Sequence, residues 1–258
     1  AGSTVPDLVL VPVAAVYIAI LALLFVYSLN FLYLTWRAVR RPSGPISAPA
    51  PDEWPVVTVQ LPVYNEVYVV ERLIDACVRL DYPAGALEIQ VLDDSTDDTA
   101  ELVAALCAHW QRLGIDIRHI RRDRRTGFKA GALAEGLASA RGTLIAILDA
   151  DFVPPPNFLT DAVPVLAADP GLAFVQARWG YVNRDDSLLT SLQALAVDGH
   201  FAVEQQARAA GGYWFNFNGT AGIWRREAIV DAGGWRDDTL TEDLDISYRV
   251  LVRGWRAA

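Results

Sequence analysis

A handful of short clusters carry the side chains that could do chemistry, and most of them are acidic. Asp149-Ala150-Asp151 follows the apolar run Leu144-Ile145-Ala146-Ile147-Leu148, so its carboxylates stand just beyond a buried segment. Hard carboxylate oxygens in that position suit Mg²⁺ or Mn²⁺ held against a diphosphate. Asp93-Asp94-Ser95-Thr96-Asp97-Asp98-Thr99 offers more acid than a helix cap needs. A carboxylate there can accept hydrogen bonds from a base edge or a ribose. Arg121-Arg122-Asp123-Arg124-Arg125-Thr126-Gly127-Phe128-Lys129 is a basic stretch in an acidic chain, placed just before a helix start. Free N–H groups with Arg and Lys nearby make a phosphate site, although a solvated basic loop has the same composition. Thr241-Glu242-Asp243 opens another helix, either as a cap with acids in its first turn or as a general base for an attacking hydroxyl. Leu61-Pro62-Val63-Tyr64-Asn65-Glu66 supplies a flat ring at Tyr64 and an acid at Glu66; a Pro turn before a helix has the same pattern.

These clusters need a scaffold that brings them to one place. The runs at 56–63, 87–92, 115–120, 143–148 and 172–177 are short and β-branched or alternating, which predicts strands. Helical periodicity fills 66–80, 97–113, 129–140 and 157–168, and a long helix is expected around 187–209. Strand–helix alternation with short connections predicts an α/β fold: a Rossmann-like, mainly parallel sheet with helices on both faces. Ligands of such sheets bind at the carboxyl ends of the strands. Asn65-Glu66, Asp93-Asp94 and Asp149/Asp151 all fall immediately after strands, so they should share one edge.

Ahead of this domain, residues 8–36 are almost continuously apolar, more than the roughly 20 residues a spanning helix needs. Tyr33 and Trp36 suit the interfacial belt, and Arg37, Arg40 and Arg41 follow at once. The positive-inside rule then places everything after Arg37 in the cytoplasm, on an integral membrane anchor such as that of a bacterial inner membrane. Residues 37–55 form a basic juxtamembrane segment and Pro-rich linker, and 56–256 form the soluble domain. The net charge of −9 argues against a nucleic-acid partner. Cys77 and Cys107 lie in helical patterns without metal-site spacing, so no disulfide framework or zinc site is expected.

In order along the chain, LPVYNE (61–66), VLDDSTDDT (91–99), GFKAGAL (127–133), DADF (149–152), VQARWGYVN (175–183), FNFNGTAGIWRR (215–226) and TEDLDISYR (241–249) resemble the motifs of family-2 glycosyltransferases of the GT-A fold. The resemblance is strongest to the cellulose-synthase-like mannan and glucomannan synthases. It implies that Asp94, with Asp93 beside it, holds the nucleoside, that Lys129 reaches the diphosphate, and that Asp151, aided by Asp149, ligates the metal. It further implies Asp243 as catalytic base with Glu242 beside it, and Asn218-Gly219-Thr220 at the acceptor. The implied reaction is inverting transfer of mannose from GDP-mannose, or glucose from UDP-glucose, to a β-1,4-linked glycan. Transfer to a lipid acceptor is the alternative, as is a catalytically incomplete nucleotide-sugar-binding fragment. Polymerising members of the family continue into a channel region that has no counterpart up to residue 258.

Overall fold

A computed structural model describes residues 5–40 and 46–258 of the chain. These fall into two compact units: the N-terminal helix with Gly180–Tyr213, and the remainder, through Trp179 and from Trp214 to Ala258. The single domain expected over 56–256 is thus interrupted, because 180–213 clusters with the N-terminal helix. Positions 41–45 of the expected linker lie outside the described residues.

In the larger unit, seven strands form one sheet: β1 (Val57–Val63), β2 (Leu87–Asp93), β3 (Ile117–Arg121), β4 (Leu144–Ile147), β5 (Leu172–Gln176), β6 (Gly222–Arg225) and β7 (Arg256–Ala257), in the order β3-β2-β1-β4-β6-β5-β7. β1 to β4 are mutually parallel where they pair, and β6 runs antiparallel to both β4 and β5. Residues of both parities along β1 are buried, from Val57 through Leu61, so both faces of the sheet are covered. The faces differ in chemistry. Val57, Val59, Leu61 and Val63 join the apolar core on one side. On the other, Thr58 donates to Glu88 at 2.5 Å and Gln60 to Gln90 at 3.0 Å, each across the strand register. Such buried polar rungs fix the β1–β2 register, because a slip of one residue would leave them unpaired.

The connecting helices are α2 (Val70–Cys77), α3 (Thr99–Arg112), α4 (Phe128–Ser139) and α5 (Phe158–Ala168), with α8 (Arg226–Asp231) and α9 (Glu242–Val252) near the C-terminus. α2 is shorter than the helix expected over 66–80. The N–H groups of Val69 and Val70 turn back onto the Glu66 carbonyl, so Glu66 sits in a turn ahead of the helix. β6 and β7 were not expected: at four and two residues they are set by pairing rather than by pattern.

The smaller unit contains α1 (Val5–Arg40) and a helical segment built from α6 (Leu188–Gly199), a π-helical stretch His200–Gln205, and α7 (Gln206–Gly211). Val9–Arg40, which contains an 18-residue window of mean hydropathy 2.9, is long and apolar enough to cross a membrane. Tyr33 stacks on Trp36, and Arg40 lies over the Trp36 ring.

Candidate active site at the carboxyl edge of the sheet

The strand order explains where the site must be. From β1 the chain moves outward to β2 and β3, then returns to place β4 on the other side of β1. That reversal makes the carboxyl ends of β1 and β4 a topological switch point, the usual ligand position in open α/β sheets. The register aligns Val63 with Asp93, Asp93 with Arg121, and Gln60 with Ile147, so the post-strand residues meet at one edge as expected. Antiparallel β6 starts opposite the end of β4, with Gly222 beside Ile147. The preceding Asn218-Gly219-Thr220 loop therefore arrives at the same edge.

At the β1–β2 side, Asn65 clips the two strand ends together. Its N–H donates to Ser95 Oγ at 2.9 Å, and its side-chain oxygen accepts from Thr96 N–H at 2.9 Å. Asn65 takes φ 57°, and Phe128 and Ala221 also adopt positive φ. All three flank this edge, where backbone strain is held by the surrounding contacts. Asp93 and Asp94 then part company. The Asp93 carboxylate is buried, accepting from Ser95 N–H at 2.8 Å and meeting His119 Nε2 at 2.8 Å. Burial alone would raise its pKa, but the hydrogen bonds from His119 and Ser95 outweigh that and hold it below the ordinary 3.8. Asp94 is gripped by the Arg122 guanidinium through both carboxylate oxygens. Arg122 also binds the carbonyls of Thr126 and Phe128, at 2.7 and 3.0 Å, tying the basic loop to the start of α4. Arg125 lies 3.4 Å above the centre of the Tyr64 ring. The basic stretch is thus partly internal framework, while Tyr64 presents a face that accepts a flat cation.

The centre of the edge is a charge cluster around Lys129. Its ammonium contacts Asp149 Oδ1 at 2.5 Å and the Gly219 carbonyl at 2.9 Å, with Glu242 at 3.8 Å. A methyl group on Gly219 would lie 3.2 Å from Asp243 Oδ2 and 3.5 Å from Lys129 Nζ, which places Asp243 beside the same loop. Thr220 is turned inward, its hydroxyl accepting from Asp149 N–H at 3.0 Å. Three contacts hold this loop in place. Gln176, at the end of β5, accepts from Asn218 N–H at 2.9 Å and donates to the Thr220 carbonyl at 3.0 Å. Ser247 on α9 accepts from Phe217 N–H at 2.9 Å. No local pattern signals the contact of Ser247 with Phe217 or of His119 with Asp93, because these pairs are 26 or more positions apart.

Electrostatically the cluster is crowded with negative charge. Burial raises the Asp149 pKa, Lys129 opposes the rise, and Asp151 and Asp243 add to it. Glu66 is raised by desolvation and then by Asp151, Asp149 and Asp97. Glu66, Asp149, Asp151, Glu242 and Asp243 are therefore brought together, with Lys129 among them. Among the described residues no three Asp, Glu, His or Cys side chains converge in ligand geometry. Asp149 and exposed Asp151 nevertheless fit Mg²⁺ or Mn²⁺, ions commonly held by one or two carboxylates plus substrate phosphates.

The carboxyl edge of this α/β sheet thus gathers Asp149, Glu242 and Asp243 around Lys129, with Asp243 Oδ1 accepting from Leu244 N–H at 2.8 Å. The chain belongs to the glycosyltransferase-like family 2, whose model matches residues 55–258. It is similar to glucomannan 4-beta-mannosyltransferase 2 of Arabidopsis thaliana, with 47% identity over 209 residues covering 80% of this chain and 39% of that protein. Similarity to glucomannan 4-beta-mannosyltransferase 9 of the same plant is 45% over 207 residues, covering 79% and 39%. The chain spans about two fifths of the length of these relatives. Among solved structures it resembles the mannosyltransferase PcManGT from Pyrobaculum calidifontis in complex with GDP-Man and Mn2+, at TM-score 0.71 and 29% identity, covering 92% of this chain and 64% of that one.

Proposed function

We propose that this chain carries the donor-binding and base-bearing part of an enzyme that transfers a hexose, mannose from GDP-mannose foremost, to a β-1,4-linked glycan with inversion. The observation that carries this reading is the convergence of Lys129, Asp149, Asp151, Glu242 and Asp243 around the Gly219 turn. Support for mannose comes from the glucomannan mannosyltransferases it resembles and from the GDP-Man complex of its structural neighbour. UDP-glucose is the alternative donor.

In this scheme Asp94 and the Tyr64 face receive the nucleoside, with Asp93 held beneath as a buried prop. Glu66 closes the donor side beside Asp97 and Asp151. Lys129 exchanges Asp149 for the donor diphosphate. Asp151 and Asp149 would hold a divalent cation, which when bound would supply Lewis-acid stabilisation of the diphosphate. Asn218 and Gly219 border the acceptor, whereas Thr220 acts through the Asp149 backbone. The acceptor hydroxyl loses its proton to Asp243 as its oxygen bonds to the anomeric carbon. The bond from that carbon to the diphosphate breaks on the opposite side, and the diphosphate departs with the electron pair toward Lys129. Glu242 sits behind Lys129 and holds its orientation. α1 spans the membrane with its Arg37 end at the cytoplasmic interface, so lipid surrounds the preceding residues.

The test is radiolabelled transfer by membranes carrying the protein, with GDP-mannose or UDP-glucose and a β-1,4-linked oligosaccharide. Label should enter the glycan, and Asp243→Asn should abolish it while donor affinity stays within about twofold. Label that partitions into organic solvent would overturn the glycan reading in favour of a lipid acceptor.

A further inference from the structure

In the larger unit, two large rings near Asp243 stand open to solvent. Trp214 is 50% exposed and Tyr248, on α9, 44%. Their ring centres lie 6.3 Å apart with the planes at 68°, so they meet edge to face and much of each ring stays uncovered. Leu244, one turn before Tyr248 on the same side of α9, is 40% exposed. Packing of the helix does not call for these side chains, because α9 already buries Ile246, Ser247, Val250 and Leu251.

The backbone ties the pair to the reaction edge. Phe217 N–H donates to Ser247 Oγ at 2.9 Å, and that hydroxyl donates to the Asp243 carbonyl at 2.5 Å. A methyl group on Gly219 would lie 3.2 Å from Asp243 Oδ2. Trp214, Phe217 and Gly219 therefore meet α9 at Tyr248, Ser247 and Asp243 in turn. Tyr248 stands five residues beyond Asp243, about 7.5 Å along the helix axis.

What suits this shelf is a neutral ring with apolar faces. Glu242 and Asp243 open α9, so a phosphate or an anionic headgroup would meet like charge. A β-linked sugar ring carries C–H groups on its faces and hydroxyls around its rim. Trp214 and Tyr248 match that pattern, each joining an apolar face to one polar atom, the indole N–H and the phenol hydroxyl. Rigid rings also bind at low cost in conformational entropy.

We propose that Trp214 and Tyr248, with Leu244 beside them, form a stacking subsite that holds a sugar ring of the acceptor glycan next to the one Asp243 deprotonates. This deepens the acceptor reading of the Gly219 loop and rests on it.

The test uses membranes carrying the protein, GDP-mannose, and β-1,4-linked oligosaccharides of increasing length. Trp214→Ala and Tyr248→Ala should each raise the acceptor KM about tenfold, more than they lower kcat, and should erase any advantage of longer acceptors. Donor affinity, read by calorimetry, should stay within about twofold, and Trp214→Phe, which keeps a ring, should retain most of the acceptor affinity. Unchanged acceptor KM in both alanine variants would overturn the subsite, and so would a matching loss of donor affinity, which would make the rings structural. Self-association lost in the variants, with acceptor kinetics intact, would give the shelf to a second copy instead. Saturation-transfer NMR of oligosaccharide binding keeps this proposal apart from the glycan-transfer reading. Binding that requires Trp214, without transfer, would leave the subsite standing and remove that reading; transfer with binding indifferent to Trp214 would do the reverse.

Discussion

Replacing Lys129 with alanine removes the cation from the centre of the carboxylate cluster. In the resting protein the lysine contacts Asp149 at 2.5 Å, the Gly219 carbonyl at 2.9 Å and Glu242 at 3.8 Å. Lys129 and Asp149 are 28% and 36% exposed, so solvent screens the pair and its loss costs only about 1 kcal/mol of stability. Binding should suffer more. A hydrogen bond to a charged phosphate oxygen contributes roughly 1.5–3 kcal/mol, so donor affinity should fall about 10- to 150-fold. Asp149, already raised by burial, loses the influence that opposes the rise and should titrate higher still. Titration calorimetry with GDP-mannose reads the affinity, and thermal unfolding reads the stability. Lys129→Arg should restore part of the affinity. Wild-type affinity in Lys129→Ala would refute the reasoning, because Lys129 would then be a structural ion-pair partner only.

Further outcomes follow from the same geometry. Gly219→Ala puts a side chain at φ +77° and 3.2 Å from Asp243 Oδ2, so it should cost about 1–2 kcal/mol of stability, lower the melting temperature by about 2–8 °C, and cut turnover. His119→Phe leaves the buried Asp93 carboxylate short of a partner and should destabilise by about 2 kcal/mol near neutrality. Because Asp93 is held below its ordinary 3.8, its contribution is present above that pH and lost as pH falls through the lowered value. The variant should therefore show a weaker acid-side decline in that range, read as melting temperature against pH. Gln176→Ala releases the Asn218 and Thr220 backbone and should lower turnover more than donor affinity, as steady-state kinetics against direct binding would show.

Much of this site was legible because buried strands announce themselves. Continuous apolar runs such as Leu144–Leu148 leave little choice about where the chain becomes polar, and parallel strands bring those points to one edge. The division of labour within the edge was not legible. Asp93 and Asp94 are neighbours in sequence, yet one is buried against His119 and the other lies in the grip of Arg122. That difference depends on the register of β2 against β3, which pairs Asp93 with Arg121. β6 escaped for a similar reason: Gly222-Ile223-Trp224-Arg225 is too short to show a period, and its role comes from pairing between β4 and β5. The separation of 180–213 from the rest reflects contacts with α1 that no local pattern encodes.

The decisive measurement is calorimetric titration of the protein with GDP-mannose and with UDP-glucose, with and without Mn²⁺, repeated with Asp151→Asn. The prediction is one-site binding strengthened at least about tenfold by Mn²⁺, with that gain lost in the variant. Failure of both GDP-mannose and UDP-glucose to bind, with or without the metal, would contradict the assignment of this edge as a nucleotide-sugar site.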